Sequence, residues 1–405
     1  MNVRVLYTGS IYDRNGAAKV VRSFAENRQL FHAYCGHSVF VFDKSFEKKE
    51  NEGTESKVKQ HHSLFKPVKQ GIRSILVKTK RGKRAVAYIK TKRFIEEHYW
   101  NSKNAFVEKY YSLGLSDDVL IFHDIFTCWA YVDHCSKNNF ELKRYILVLH
   151  TNGEMFKMVF IAYPNIKGTR YDLVMNERAE VCYRHAQRIV FVSEISAKVF
   201  KQDYSMYANK VQVVYNGVND DLQNTNPVFD GKIRMVTVGT VGKRKNQVIL
   251  VDCLKMVRKH WDATLTVIGG GDALEECKQR AKDLNLEQWV TFLGSIDDVA
   301  NELTKCNLFV MSSLDEGLPI AAIEALRAKL PVVLTDVGGC QELINDNGYL
   351  VKPNIEDILN AIIEFGRNVD KQKGMSEASH RLFKEKYTLD AMIRGYSQII
   401  KDVLS

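Results

Sequence analysis

Two glutamates, Glu316 and Glu324, stand with seven residues between them in a stretch suited to a ligand that carries both hydroxyls and phosphates. Glu316 lies in a small polar loop, Ser312-Ser313-Leu314-Asp315-Glu316-Gly317-Leu318-Pro319. Glu324 lies in the helical pattern Ile320 to Leu326, which is apolar almost all round and therefore expected to be buried. A buried carboxylate must find hydrogen-bond donors or shift its pKa. Two readings follow for Glu324: an ion pair with a local Lys or Arg, or hydrogen bonds accepted from a ligand diol. Gly317 lets the backbone approach a ligand closely, and Pro319 suits the first helical turn, where its missing N–H costs nothing. The unpaired amides at the start of that helix then form an anion site, strengthened by the helix dipole.

Three adjacent cations occupy a second loop, Gly239-Thr240-Val241-Gly242-Lys243-Arg244-Lys245-Asn246, directly before a helix. That composition reads as an anion clamp or as a solvated turn. His150 follows the strand Tyr145 to Leu149 and stands close to Gly153, at the strand's carboxyl end, where open α/β sheets bind ligands. A neutral imidazole there can hydrogen-bond a hydroxyl; His123 has a similar place after Val119 to Phe122. Asn15-Gly16 opens the first helix after the first strand, either as a tight turn or as a phosphate cradle. Gly269-Gly270-Gly271 and Gly294-Ser295-Ile296 close two further strands. No Gly-x-Gly-x-x-Gly follows the first strand of either half, and no Asp-x-Asp occurs anywhere, so no metal is expected.

The elements that must carry these residues alternate. In the first half, strands are expected at 1–7, 37–42, 119–122, 145–149, 188–192 and 211–215, and in the second half at 233–239, 265–268, 290–293, 308–311, 332–335 and 349–351. Helical patterns at 248–257, 274–284, 299–303, 320–326 and 355–365 separate the later strands, which is the signature of a parallel sheet with crossover helices. A chain of 405 residues fits two domains. The expected division is an N-terminal domain of residues 1–218 and 387–405 and a C-terminal domain of 219–386, with 219–231 as linker and 387–404 as a terminal amphipathic helix.

Apolar content of 45% and charged content of 26% are those of a globular protein. The eight cysteines are scattered, with no Cys-x-x-Cys, which argues against a zinc site or a disulfide framework. The chain enters a strand without a signal-peptide pattern and has no long apolar window, so a cytoplasmic protein is expected. Its net charge of +10 is concentrated: residues 57–109 hold fifteen Lys and Arg against three Glu. Within that insertion Leu64, Phe65, Val68, Ile72, Ile75, Leu76 and Val77 interleave with Lys66, Lys69, Arg73, Lys78, Lys80, Arg81, Lys83 and Arg84. This reads as one or two basic amphipathic helices. They are either a solvated face or a surface for an anionic membrane. No aromatic platform or motif supports nucleic-acid binding.

Glu316, seven residues, then Glu324-Ala325, within Ser-Leu-Asp-Glu-Gly-Leu-Pro, resembles the glutamate-x7-glutamate motif of retaining glycosyltransferases of the GT4 (group 1) family. Val192-Ser193-Glu194, Asn216-Gly217-Val218 and Gly338-Gly339-Cys340-Gln341-Glu342 are similar to further phrases of that family. The resemblance implies α/β GT-B architecture: two Rossmann-like, doubly wound domains facing a deep cleft, with the C-terminal helix crossing back to the N-terminal domain. It implies that Glu324 holds the ribose of a nucleotide-sugar donor and that Glu316 sits by the donor sugar. Gly317, Leu318 and Pro319 would meet sugar and diphosphate, and His150 would touch the sugar. Gly239, Ser295 and Ile296 would lie along the nucleotide, with Gly16 and Asn15 on the acceptor side. The 239–246 loop is similar to the family's Gly-Arg-x-x-x-x-Lys clamp. Lys245 matches it, but Thr240 stands where the family has Arg; either Lys243 or Arg244 replaces that charge or the clamp runs one cation short. The implied activity is metal-independent transfer, with retention, of a hexose or N-acetylhexosamine to a hydroxyl of a lipid-linked saccharide or polysaccharide precursor. A UDP-sugar is the favoured donor. The nucleotide-sugar is a co-substrate and no cofactor is implied; the partners are that donor, the acceptor and, through 57–109, an anionic inner-membrane surface, with the protein peripheral on its cytoplasmic face. The rival readings are a non-catalytic GT-B-like glycan- or membrane-binding protein and a nicotinamide-dependent oxidoreductase.

Overall fold

The computed structural model describes residues 1–13, 15–44, 79–222 and 226–405. Among them the strands form two parallel sheets of six. The first takes β1 (Asn2–Tyr7), β2 (Ser38–Asp43), β3 (Val119–Phe122), β4 (Arg144–Leu149), β5 (Arg188–Phe191) and β6 (Val211–Val213), in the order β2-β1-β3-β4-β5-β6. The second takes β7 (Ile233–Val238), β8 (Ala263–Ile268), β9 (Val290–Gly294), β10 (Leu308–Met311), β11 (Val332–Thr335) and β12 (Gly348–Val351), in the order β12-β11-β10-β7-β8-β9. Each order reverses direction once, between β1 and β3 in one sheet and between β7 and β10 in the other. Crevices at the carboxyl ends of such strand pairs are where doubly wound sheets take ligands.

By its contacts the chain divides into two compact units: residues 1–11, 37–148 and 156–189 form one, and residues 12–36, 149–155 and 190–405 the other. In the larger unit, β10 is buried on both faces. Leu308 and Val310 join one apolar cluster and Phe309 and Met311 the other. That period-2 partition is why a continuous apolar run makes a central parallel strand. The C-terminal helix Leu389–Leu404 packs on the helices Gly16–Glu26 and Arg28–Cys35, with the Tyr396 ring 4.9 Å from that of Phe24. In the smaller unit a helix Lys80–Ile95 runs into a single π-turn, Glu96–Trp100, which carries Trp100 into the core.

Several elements depart from the sequence pattern. A helix at Val369–Lys386 has no counterpart in the expected set. Its buried face includes Ser376 and Ser379, whose hydroxyls donate to the carbonyls of Lys329 and Leu330 at 2.7 Å. Polar residues satisfied by a neighbouring turn do not register as an apolar stripe. Of the basic amphipathic pattern, Leu64, Phe65, Lys66, Val68, Lys69, Ile72, Arg73, Ile75, Leu76, Val77 and Lys78 lie outside the described residues, as do 223–225 of the expected linker. Arg81, Lys83 and Arg84 are exposed on the helix Lys80–Ile95. All eight cysteines are buried and free. Among the described residues no helix is long and apolar enough to cross a membrane.

Candidate active site

The loop after β10 is stapled to the loop after β7. The Ser312 hydroxyl donates to the carbonyls of Lys245 and Asn246 at 2.9 and 3.0 Å, and the Leu314 amide donates to the Arg244 carbonyl at 2.7 Å. Gln247 braces the second loop from inside, accepting from the Gly242 amide and donating to the Thr240 carbonyl. This frame brings Glu316 between two cations. Lys245 Nζ lies 2.5 Å from Glu316 Oε1, and Arg244 Nη1 lies 3.2 Å from Oε2. Arg244 also donates to the Asp315 carbonyl at 2.7 Å. Burial pulls the Glu316 pKa up, but the charges of Lys245 and Arg244 outweigh it and hold the carboxyl below its ordinary value. Glu316, 7% exposed, is therefore an ionised carboxylate that orients two cations.

Glycines let other loops close on this one. A Cβ at Gly338, where φ is +51°, would stand 1.7 Å from the Glu316 carbonyl oxygen. A Cβ at Gly317 would stand 2.7 Å from the His150 carbonyl oxygen. The Gly339 amide donates to the Gly317 carbonyl at 2.7 Å, and buried Asn216 donates to the Leu318 carbonyl at 3.0 Å. Pro319 stands one residue ahead of the first turn of the helix Ile320–Arg327, at its cap, rather than inside that turn. Its carbonyl still starts the helix by accepting from the Ala322 and Ile323 amides. Glu342 caps another helix, accepting from the Glu194 and Ile195 amides.

A cavity of about 770 Å³ opens at the carboxyl ends of β7, β8 and β9. Its walls include Asn15, Gly239, Thr240, Ser295, Ile296 and Glu324, six of the residues singled out by sequence. Ser295 Oγ accepts from the Gly270 amide at 3.1 Å and so ties two wall loops together. Glu324 makes an ion pair through one oxygen only. Lys19 Nζ lies 2.6 Å from its Oε1, while Oε2 is buried without a hydrogen-bond partner among the described residues. The cation is Lys19, 305 positions away in sequence, not a local one.

Glu316, Lys245 and His150 are outside this wall, but the Lys245 stem passes about 3.4 Å from the Cβ position of Gly239, which is in it. Lys243 is exposed on its loop, and Gly16 packs toward Ile320. Burial lowers the His150 pKa to about 4, so its imidazole is neutral near pH 7. Wall residues that the sequence analysis does not single out include Tyr12, Lys19 and Arg22, ahead of and on the first helix, Arg327, and the carboxylates Asp13, Asp297 and Asp298. Arg327 donates to Asp221 at 2.7 Å. Lys19 and Arg22, three apart, lie on one helical face, a signal that was present but had no partner in the local sequence.

The Glycosyltransferase Family 4 model matches residues 15–222 and the Glycosyl transferases group 1 model residues 218–382. An uncharacterized glycosyltransferase of Methanocaldococcus jannaschii is 28% identical over 200 residues, covering 48% of this chain and 54% of that protein. The Escherichia coli UDP-Gal:alpha-D-GlcNAc-diphosphoundecaprenol alpha-1,3-galactosyltransferase is 26% identical over 174 residues, covering 38% and 44%. The chain thus spans about half the length of the curated relatives it matches. The crystal structure of Anabaena HepE in complex with UDP aligns with a TM-score of 0.68 over 99% of this chain and 100% of that one, at 17% identity, a likeness of fold.

Proposed function

The chain belongs to the group 1, family 4 glycosyltransferases and has the two Rossmann-like α/β domains of the GT-B fold; on that premise we propose that it transfers a sugar from a nucleoside-diphosphate donor to an acceptor hydroxyl. The observation that carries the reading is Glu324. A carboxylate with one buried oxygen that has no partner among the described residues stands in the wall of a large cavity at the carboxyl edge of a parallel sheet. Such an acceptor suits the vicinal hydroxyls of a ribose.

In this reading the bond between the sugar's anomeric carbon and the diphosphate oxygen breaks as the acceptor oxygen bonds to that carbon. The acceptor proton passes to the departing phosphate. Negative charge grows on the leaving group, and Lys245, Arg244 and the amides of Gly317 and Leu318 meet it. Lys245 has three N–H donors, so its bond to Glu316 leaves capacity for a phosphate. Glu316 holds both cations in place before the charge develops, which is how preorganised electrostatics lower a barrier. Neutral His150 donates to a sugar hydroxyl without adding charge. Attack from the same face, with retention, is part of the proposal, as is metal independence; the fixed cations support the latter.

We favour a UDP-hexose or UDP-N-acetylhexosamine as donor and a lipid-linked saccharide as acceptor. The name of the Escherichia coli relative, which pairs UDP-galactose with a diphosphoundecaprenol acceptor, supports both choices. Exposed Arg81, Lys83 and Arg84 support a peripheral place on an anionic, cytoplasmic membrane face.

Calorimetric titration of UDP, GDP, ADP and NAD tests the reading. One nucleoside diphosphate is expected to bind, and Glu324→Ala to weaken it about tenfold or more, the worth of a hydrogen bond to a charged group. Binding of NAD alone would overturn it in favour of an oxidoreductase.

A further inference from the structure

Glu324 is held in place from near the start of the chain. Lys19, on the helix Gly16–Glu26, meets Oε1 at 2.6 Å, and the Glu324 side chain is only 12% exposed. Both residues line the large cavity. Arg22, one turn further on, lines it too, while Arg327, three residues after Glu324, is turned to Asp221 and the Asn219 carbonyl. Counting the ionisable side chains of the cavity wall gives three cations against four carboxylates.

We propose that Lys19 is a positioning residue of the nucleotide site: it fixes one oxygen of Glu324, leaves the other to accept from the ligand's diol, and offsets the carboxylate charge where an anionic diphosphate must enter. The inference rests on the reading of the cavity given above. Two physical arguments lead to it. A glutamate has three rotatable bonds, and a short charge-assisted bond to Oε1 fixes the direction of Oε2. Without Lys19 the wall would hold two cations against four carboxylates, and the field there would oppose a diphosphate more than a neutral nucleoside. The neutral Thr240 on the same wall sharpens the need.

The test is calorimetry on the full chain with the nucleoside diphosphate that wild type binds and with the matching nucleoside. Lys19→Met is expected to weaken the diphosphate about tenfold, in the range of lost supporting contacts, and the nucleoside less. Lys19→Arg is expected to keep most of the affinity. In a Glu324→Ala background Lys19→Met is expected to add little, because the two act as one unit. Unchanged or tighter binding by Lys19→Met overturns the inference, as does an equal loss in both backgrounds. If Lys19→Met does not fold, Lys19→Gln stands in, with the diphosphate expected to suffer more than the nucleoside; equal affinities with wild type overturn the inference there too. Loss of binding in Glu324→Ala with none in either Lys19 variant leaves the nucleotide reading standing and removes only the role of Lys19. Failure of wild type to bind any nucleoside diphosphate removes both.

Discussion

Lys245 and Arg244 grip Glu316 from a distant loop, Lys245 from 71 positions away in sequence. Both oxygens of Glu316 face cations, and in the proposed reaction its part is to hold them. Lys245→Ala is therefore expected to cost mainly turnover, about 10²–10³ in kcat, with a small change in donor affinity. Steady-state kinetics on the identified donor check this, and EDTA in the same assay is expected to leave the rate unchanged. A purely KM effect would mean that Lys245 binds the donor's ground state instead.

At the scale of elements, the carboxyl edge of the second sheet gathers the site: loops after β7, β8 and β9 line the cavity, and the loop after β10 holds Glu316. The helix Lys80–Ile95 is a separate device. It has Ile95 in the core, Ile89 at 59% and Phe94 at 39% exposure, and Arg81, Lys83 and Arg84 facing solvent. Basic residues near an anionic membrane are worth about 1 kcal/mol each, so neutralising those three is expected to weaken vesicle binding by roughly 100-fold. Co-sedimentation with phosphatidylserine vesicles reads this out, and undiminished binding would return the helix to a merely solvated face.

At the scale of the whole molecule, His150 and Glu316 are among the groups that make stability fall with acid. The folded-state pKa of His150 is near 4 against an ordinary 6.5. Between those values the unfolded chain takes up a proton that the folded chain refuses, so stability present above pH 6.5 is lost as pH falls toward 4. Glu316 acts lower: its pKa lies below the ordinary 4.5, and its contribution, present above 4.5, is lost as pH falls through the folded value. Urea midpoints measured from pH 7 to pH 4 are expected to decline, and His150→Gln to flatten the slope between 6.5 and 4. An unchanged slope in that variant would assign the decline to other groups.

The sequence by itself determined the class of fold and the addresses of several loops that line the cavity. Strand periods, glycine-closed carboxyl ends and the Glu316–Glu324 spacing are local properties, and the strands lie within a few residues of where the pattern put them. It also marked Glu324 as a carboxylate in need of a donor, because the helix around it is apolar. Tertiary structure alone decided which donor. Lys19 and Glu324 are 305 positions apart, and no local rule couples them. The same holds for the capture of Lys245 and Arg244 by Glu316, for the turning of Arg327 to Asp221, and for the buried serines that hid the helix Val369–Lys386. Charges and hydroxyls take their meaning from partners, and folding chooses partners across the whole chain.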